Sequence, residues 1–143
     1  MQRPMGLIAA ALVLGAAACS DTSAPMEDLV GTWNATAMVF TRVADTTEKV
    51  DVIALGATFR MTLAADSTWT AIQTVPLAVP DTATGTWTAS LDVLTLEETG
   101  QSGNMQFQYV MSGNTVTLTG GSVDFDFGFG DEPATLSITA TKQ

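Results

Sequence analysis

The sequence predicts one all-β domain that folds as an antiparallel meander. From Val30 onward, apolar and polar residues alternate with period two, and Thr, Val, Trp and Phe are frequent. Short turn signals recur between the alternating runs, which is typical of successive hairpins. This pattern favours a sheet closed as a β-barrel of about eight to ten strands, and a β-sandwich is the alternative.

Residues 1–18 are predicted to be a signal peptide that forms a helix before it is removed. Arg3 is followed by an apolar run of about 14 residues. That run is shorter than the roughly 20 residues a membrane-spanning helix needs. We therefore expect an exported protein rather than one that crosses the membrane with this segment.

The only cysteine follows three alanines, and Ala16-Ala17-Ala18-Cys19 resembles the lipobox of bacterial lipoproteins. The resemblance implies that Cys19 becomes the first mature residue and carries the lipid that anchors the protein to the cell envelope. The alternative is an ordinary signal peptide cut at the same bond, which leaves a free thiol. Such a thiol is a liability in an oxidising compartment, so lipidation is favoured. Ser20, where Asp would direct retention, implies the outer membrane by resemblance to the enterobacterial sorting rule.

Charge excludes one class of partner. Removal of residues 1–18 leaves four Lys and Arg against fifteen Asp and Glu, a net charge of −11. Nucleic-acid binding needs clustered cations, and the four that remain are scattered, so no nucleic-acid partner is expected. The acidic surface also disfavours anionic lipids, which leaves the lipid on Cys19 as the expected membrane contact.

The small polar residues 19–28 predict a flexible tether, and residues 29–143 predict the barrel domain. Pro76 and Pro80 bracket a loop that cannot lie in a central strand. The alternating runs give ten strand candidates: 31–43, 49–54, 57–64, 68–75, 84–90, 92–98, 105–112, 115–120, 123–129 and 134–142.

The alternation also predicts which face of each strand is buried. In three candidates apolar residues alternate with threonine, serine or arginine, as in Phe59, Met61 and Leu63. Such strands belong to a sheet with one solvated face. We expect the threonine-rich face to point outward.

Gly31-Thr32-Trp33 recurs as Gly85-Thr86-Trp87, and each copy is placed to open a strand. An inward Trp could close one end of the barrel, or both could be ordinary core residues. With these repeats the chain resembles small bacterial lipocalin-like domains. The resemblance covers most of residues 29–143 and rests on four motifs in order: Leu29-Val30-Gly31-Thr32-Trp33, Leu63-Ala64-Ala65-Asp66-Ser67-Thr68-Trp69, Gly85-Thr86-Trp87 with Leu94-Thr95-Leu96, and Ser112-Gly113-Asn114-Thr115-Val116-Thr117-Leu118.

One position departs from the classical lipocalins. They carry an Arg near the last strand that stacks on the first Trp, whereas the only cation near this C terminus is Lys142. The departure favours the broader lipocalin-like group over the classical family.

The residue types limit the chemistry. The chain has no His and one Cys, which excludes His-dependent nucleophile systems and the usual zinc sites. Glu97 and Glu98 are adjacent in a strand and would face opposite ways. We therefore predict no enzyme activity, no catalytic residues and no cofactor.

Residues 121–132 combine four acids with three phenylalanines. Asp124, Asp126, Asp131 and Glu132 offer oxygen ligands for Ca²⁺, although the EF-hand spacing is absent. The simpler interpretation is a strand with Phe125 and Phe127 inward that ends in a Gly-rich turn. No metal site is predicted.

We interpret the chain as a monomeric, lipid-anchored binding module. In the first hypothesis, a small hydrophobic ligand lies inside the barrel. In the second, the core is solid and an outer face or loop rim serves a structural or protein-interaction role. The candidate ligand-lining side chains are Phe59, Met61, Trp69, Phe107, Tyr109 and Met111.

Overall fold

The structure, a computed structural model, describes residues 24–143 as one short helix and nine strands. The predicted signal peptide, Cys19 and the first part of the tether lie outside the described residues. The elements are α1 (Ala24–Leu29), β1 (Gly31–Arg42), β2 (Lys49–Asp51), β3 (Thr58–Leu63), β4 (Thr68–Thr74), β5 (Asp81–Ser90), β6 (Val93–Glu98), β7 (Met105–Ser112), β8 (Thr115–Asp126) and β9 (Asp131–Lys142).

The strands form a closed antiparallel barrel, as predicted. Strands β3 to β9 pair in sequence order, and β1 pairs with both β3 and β9, so that eight strands complete the circle. The short strand β2 pairs with the second half of β1, beyond the stretch that pairs with β3. Closure removes the free sheet edges that would otherwise invite pairing with other chains. This architecture is compatible with a lipocalin-like barrel.

Two strand candidates, 115–120 and 123–129, are in fact one strand, β8. The register against β9 shifts between Leu118 and Gly121, and Gly120 adopts a φ of 85°. A glycine in this conformation lets the strand bulge without ending. The period-two pattern therefore changes parity at Gly120, which accounts for the apparent break in the sequence.

Other strand boundaries also differ. The candidate 49–54 contains only a three-residue strand, because Asp51 Oδ1 accepts N–H bonds from Ile53 and Ala54 and turns the chain. Strand β9 starts before Pro133, which is paired opposite Asp124. Proline has no backbone N–H to donate, but the Pro133 carbonyl still accepts a bond from the Val43 N–H. The strand therefore continues through Pro133.

The described end of the predicted tether forms a short helix. Helix α1 spans Ala24–Leu29, and Leu29 is 1% exposed in the barrel core. Burial of this side chain holds the segment against the barrel. Within residues 24–143, no helix is long and apolar enough to cross a membrane.

The buried side chains form one core inside the barrel, and the threonine-rich faces point outward as predicted. Strand directions define two ends. The helix end carries α1, the C terminus and the turns 64–67, 91–92 and 113–114. The loop end carries the connections 43–48, 52–57, 75–80, 99–104 and 127–130.

Candidate functional site

The helix end is closed by Trp33. Its side chain is 1% exposed, and its indole N–H donates to the Leu29 carbonyl over 2.8 Å. Lys142 crosses Gly31, and its Nζ lies 5.4 Å from the centre of the Trp33 ring while donating to the Asp28 carbonyl. The lysine thus covers the first Trp from the last strand. This end is packed and leaves little room for a ligand.

The second Gly-Thr-Trp copy contributes the Trp87 indole and packs under the indole of Trp69. Trp87 is also 1% exposed and donates to the Ala64 carbonyl near the helix end. Gly85 lies under the indole of Trp69, which donates to the Glu97 carbonyl over 3.1 Å. A Cβ at position 85 would lie 2.7 Å from that indole nitrogen. Gly31 and Gly85 therefore leave room for the side chains of Lys142 and Trp69, which pass over them.

The six ligand-lining candidates all belong to the hydrophobic core or pack against it. Met61 and Phe107 are each 2% exposed inside the core, and Tyr109 donates its hydroxyl to the Leu91 carbonyl over 2.7 Å. Burial, with smaller contributions from Asp92 and Asp28, raises the pKa of Tyr109, so the phenol stays protonated as a donor. Met111 is half-buried against the same core.

The two remaining candidates, Phe59 and Trp69, lie at two openings in the barrel wall. Each opening adjoins a strand that carries a bulge. Strand β1 shifts register between Ala35 and Ala37 and pairs with β3 only over its first four residues. Strand β8 shifts at Gly120 and from there pairs only with β9. Each bulged strand stays paired with β9 beyond its bulge. There β1 separates from β3, and β8 separates from β7.

The opening between β7 and β8 is the larger, with a volume of about 460 Å³. Its floor is apolar and consists of Trp69, Leu96 and Met105, while Glu98, Asp124 and the loop 101–104 surround it. We call it the β7–β8 cleft. The opening between β1 and β3 has a volume of about 380 Å³. Its lining combines the large apolar residues Phe59, Ile53 and Ile72 with the polar residues Asn34 and Arg60, and two threonines and two alanines complete it.

Apolar side chains are concentrated on the connections of the loop end, a feature that the sequence reasoning missed. Six of the eight large hydrophobic residues that are exposed within the described chain lie there. We call them the apolar rim: Val43, Leu55, Val75, Leu77, Val79 and Phe129. The other two are single residues, Leu91 at the helix end and Val110 on the outer face of β7.

Leu77 is the most exposed residue of the rim. The Ala78 N–H donates to the Val75 carbonyl over 3.1 Å, which closes a turn with Pro76 and Leu77 at its centre. Leu77 adopts a φ of 67°, a conformation that normally selects Gly or Asn at this position. Its side chain is fully exposed. The turn thus holds a large apolar side chain in water in an unfavourable backbone conformation.

Phe129 projects from the hairpin tip between β8 and β9. Asp126 Oδ1 accepts the N–H groups of Gly128 and Gly130, at 2.7 and 3.0 Å, and fixes the tip. These backbone bonds lower the pKa of Asp126. Below the tip, Phe125 stacks on Phe40 with centroids 4.1 Å apart.

The acids of 121–132 point in different directions. Asp124 and Asp126 face outward while Phe125 and Phe127 pack against the core, as predicted. Glu132 instead pairs with Arg42, which also binds Glu48. Among residues 24–143, no group of three acidic side chains is arranged to hold a metal ion.

A sequence signal for the rim does exist. Leu77 and Val79 lie between Pro76 and Pro80, and Phe129 lies between two glycines. Apolar residues in segments with turn chemistry cannot belong to an alternating strand, and they therefore deserve to be considered as contact residues.

Comparison with known protein families and with curated proteins gave no match for this chain.

Proposed function

We propose that this chain is a lipid-anchored envelope protein that binds a partner protein through the apolar rim of a packed barrel. The observation that carries the proposal is the concentration of exposed apolar side chains at one end of the molecule. Soluble surfaces seldom group such residues unless they form an interaction site. Leu77 holds its fully exposed side chain in a left-handed backbone conformation, which costs roughly 1–2 kcal/mol.

The position of helix α1 supports an orientation in which the rim faces away from the membrane. Helix α1 leads into β1 at the helix end, while the rim lies at the loop end. A lipid on Cys19 would therefore hold the helix end nearer the membrane. The rim would face away from the membrane, toward partners in the periplasm or outside the outer membrane.

Charge favours a protein over a lipid surface as the partner. Asp81 follows Pro80 directly, and Asp126 and Asp131 flank the tip that carries Phe129. The carboxylates beside the apolar side chains would be repelled by the phosphate groups of an anionic bilayer. A protein patch with an apolar centre and basic residues around it matches the rim instead.

Burial in the interior supports a solid core over a ligand-filled barrel. Phe107, Met61 and Leu94 are each 2% exposed or less, and their side chains occupy the volume that an apolar ligand would need. The interior then acts as the scaffold that positions the loops.

Site-specific photo-cross-linking in a bacterium that makes and exports this chain tests the proposal. A photoreactive amino acid at position 77 or 129 should give one adduct of defined mass, because both positions lie in the rim. Position 91, which is 73% exposed, and position 110, which is 67% exposed, are matched apolar controls outside the rim and should give none.

A second variant makes the result specific. Phe129→Ser should reduce the adduct formed at position 77 at least about tenfold, because a central aromatic residue contributes strongly to such contacts. Adducts of the same mass from positions 91 and 110, or none from the rim, would contradict the proposal. An adduct with lipid alone would assign the rim to a membrane surface instead.

A further inference from the structure

We infer that the β7–β8 cleft binds a small organic ammonium ion with an apolar body. The inference is independent of the rim proposal, because it concerns a small molecule and a different set of residues. It rests on how the cleft is formed, on its rigid apolar floor and on the charge around its opening.

The cleft is a consequence of the bulge at Gly120. Strand β7 pairs with β8 only from Gln108 onward, so residues 105–107 have no partner in β8. Phe107 closes the inner part of this gap: a Cβ at position 121 would lie 2.3 Å from its ring. The space that remains, about 460 Å³, falls within the range of small-molecule sites.

The floor of the cleft is held in place. The Trp69 indole is tied to the Glu97 carbonyl and lies over Gly85, which has no side chain to displace it. Leu96 and Met105 are directly opposite each other on β6 and β7 and complete the floor. Trp69 and Leu96 are 7% and 9% exposed, so the open part of this floor is small enough for a flat ring or a short alkyl chain to cover.

The groups around the opening select for positive charge. Glu98 and Asp124 both line the cleft, and in the described chain neither carboxylate forms an ion pair. Gln101 and Asn104 add amide oxygens that can accept N–H bonds from an ammonium group. The ten lining residues include no Lys or Arg. A fatty acid or another carboxylate would therefore face two negative charges with no cation to bind it.

Isothermal titration with two ligands of the same shape and opposite charge tests the inference. We expect 1-naphthylmethylammonium to bind with a stoichiometry of one and 1-naphthoate to bind at least about tenfold more weakly. The affinity for the ammonium ligand should fall in ~1 M NaCl, where the screening length is about 3 Å.

Three variants assign the binding to this cleft. Glu98→Gln and Asp124→Asn should each weaken the ammonium ligand about threefold, because each removes one partly solvated charge. Asp92→Asn, which removes the same charge at the helix end, is the control and should change the affinity little. Ser122→Phe, at an exposed position that lines the cleft, should block binding while the far-ultraviolet circular dichroism of the barrel stays unchanged.

Naphthoate binding as tight as the ammonium ligand would overturn the inference. So would equal effects from Asp92→Asn and Glu98→Gln, or the absence of heat for any ligand. None of these results bears on the cross-linking outcome at positions 77 and 129, so the two proposals can fail separately.

Discussion

Each of the three tryptophans donates its indole N–H to a main-chain carbonyl outside its own strand. Trp33 bonds to Leu29, Trp69 to Glu97 and Trp87 to Ala64. A large ring can therefore be buried without leaving its polar atom unpaired. The inward direction of these rings follows from period two. The acceptors of Trp69 and Trp87 lie on distant segments, so they depend on strand order and could not be predicted from the sequence.

The closure of the helix end can be measured through Trp33. We expect Trp33→Ala to lower the free energy of unfolding by about 3–5 kcal/mol, because it leaves a cavity under α1 and Lys142. Thr32→Ala removes only the bond between the Thr32 and Thr62 hydroxyls and should cost about 1 kcal/mol or less. Urea unfolding of both variants makes the comparison. Equal losses would mean that Trp33 does not close this end.

Gly85 is required for close approach rather than for flexibility. A Cβ there would lie 1.8 Å from the Glu97 carbonyl oxygen. Gly85→Ala should therefore lower the free energy of unfolding by about 3 kcal/mol, since it displaces both β6 and the Trp69 indole. Gly100→Ala is the matched control, with no atom within 4 Å and a φ of 85°, and should cost about 1 kcal/mol. A smaller loss at position 85 than at position 100 would contradict this packing.

Alternation and turn residues in the sequence predicted most strands and missed the two bulges. Alternation and turn residues identified β3, β4, β6 and β7 to within about two residues of their ends. Strand β8 appeared as two candidates because the bulge at Gly120 reverses the parity of the apolar positions. The β7–β8 cleft depends on that bulge, so its lining could not be assembled from the sequence alone.

The hairpin tip between β8 and β9 gives a prediction that depends on pH. In the folded protein the pKa of Asp126 is lowered by the N–H bonds of Gly128 and Gly130, so its stabilising effect is present at neutral pH and is lost as the pH falls through that lowered pKa. Asp126→Asn should speed amide hydrogen exchange at Gly128 and Gly130 at pH 7. In acid below that pKa, variant and wild type should exchange alike after correction for the intrinsic rate.

Persistence of the difference in strong acid would show that the carboxylate charge is not what fixes the tip. Asp45 provides the matched control, because Asp45→Asn removes a similar carboxylate, bonded to Thr47, from another loop. That variant should leave exchange at Gly128 and Gly130 unchanged.

Across the whole barrel, helix α1 and the apolar rim lie at opposite ends. Composition predicted an exported all-β domain, but only the strand order shows that the connections with exposed apolar residues lie at the same end of the barrel. The side chains of 75–80 and 127–130 are far apart in the sequence, and no local pattern relates them.

The anchor itself is tested by mass. Expressed in a bacterium that processes lipoproteins, the mature chain should begin at Cys19 and exceed its peptide mass by the acyl groups. Cys19→Ala should leave the protein soluble or unprocessed, because stable anchoring needs more than one acyl chain. An unmodified Cys19 at the mature terminus would exclude the lipoprotein interpretation.

Urea unfolding of two variants tests the claim that the interior stabilises the fold while the rim is kept for contact. Phe107→Ala should lower the free energy of unfolding by about 3–5 kcal/mol. Leu77→Asn removes an exposed side chain and suits the left-handed backbone, so stability should stay within about 0.5 kcal/mol of wild type or rise by up to about 1 kcal/mol. A loss of more than about 1.5 kcal/mol at Leu77, with little change at Phe107, would contradict the claim.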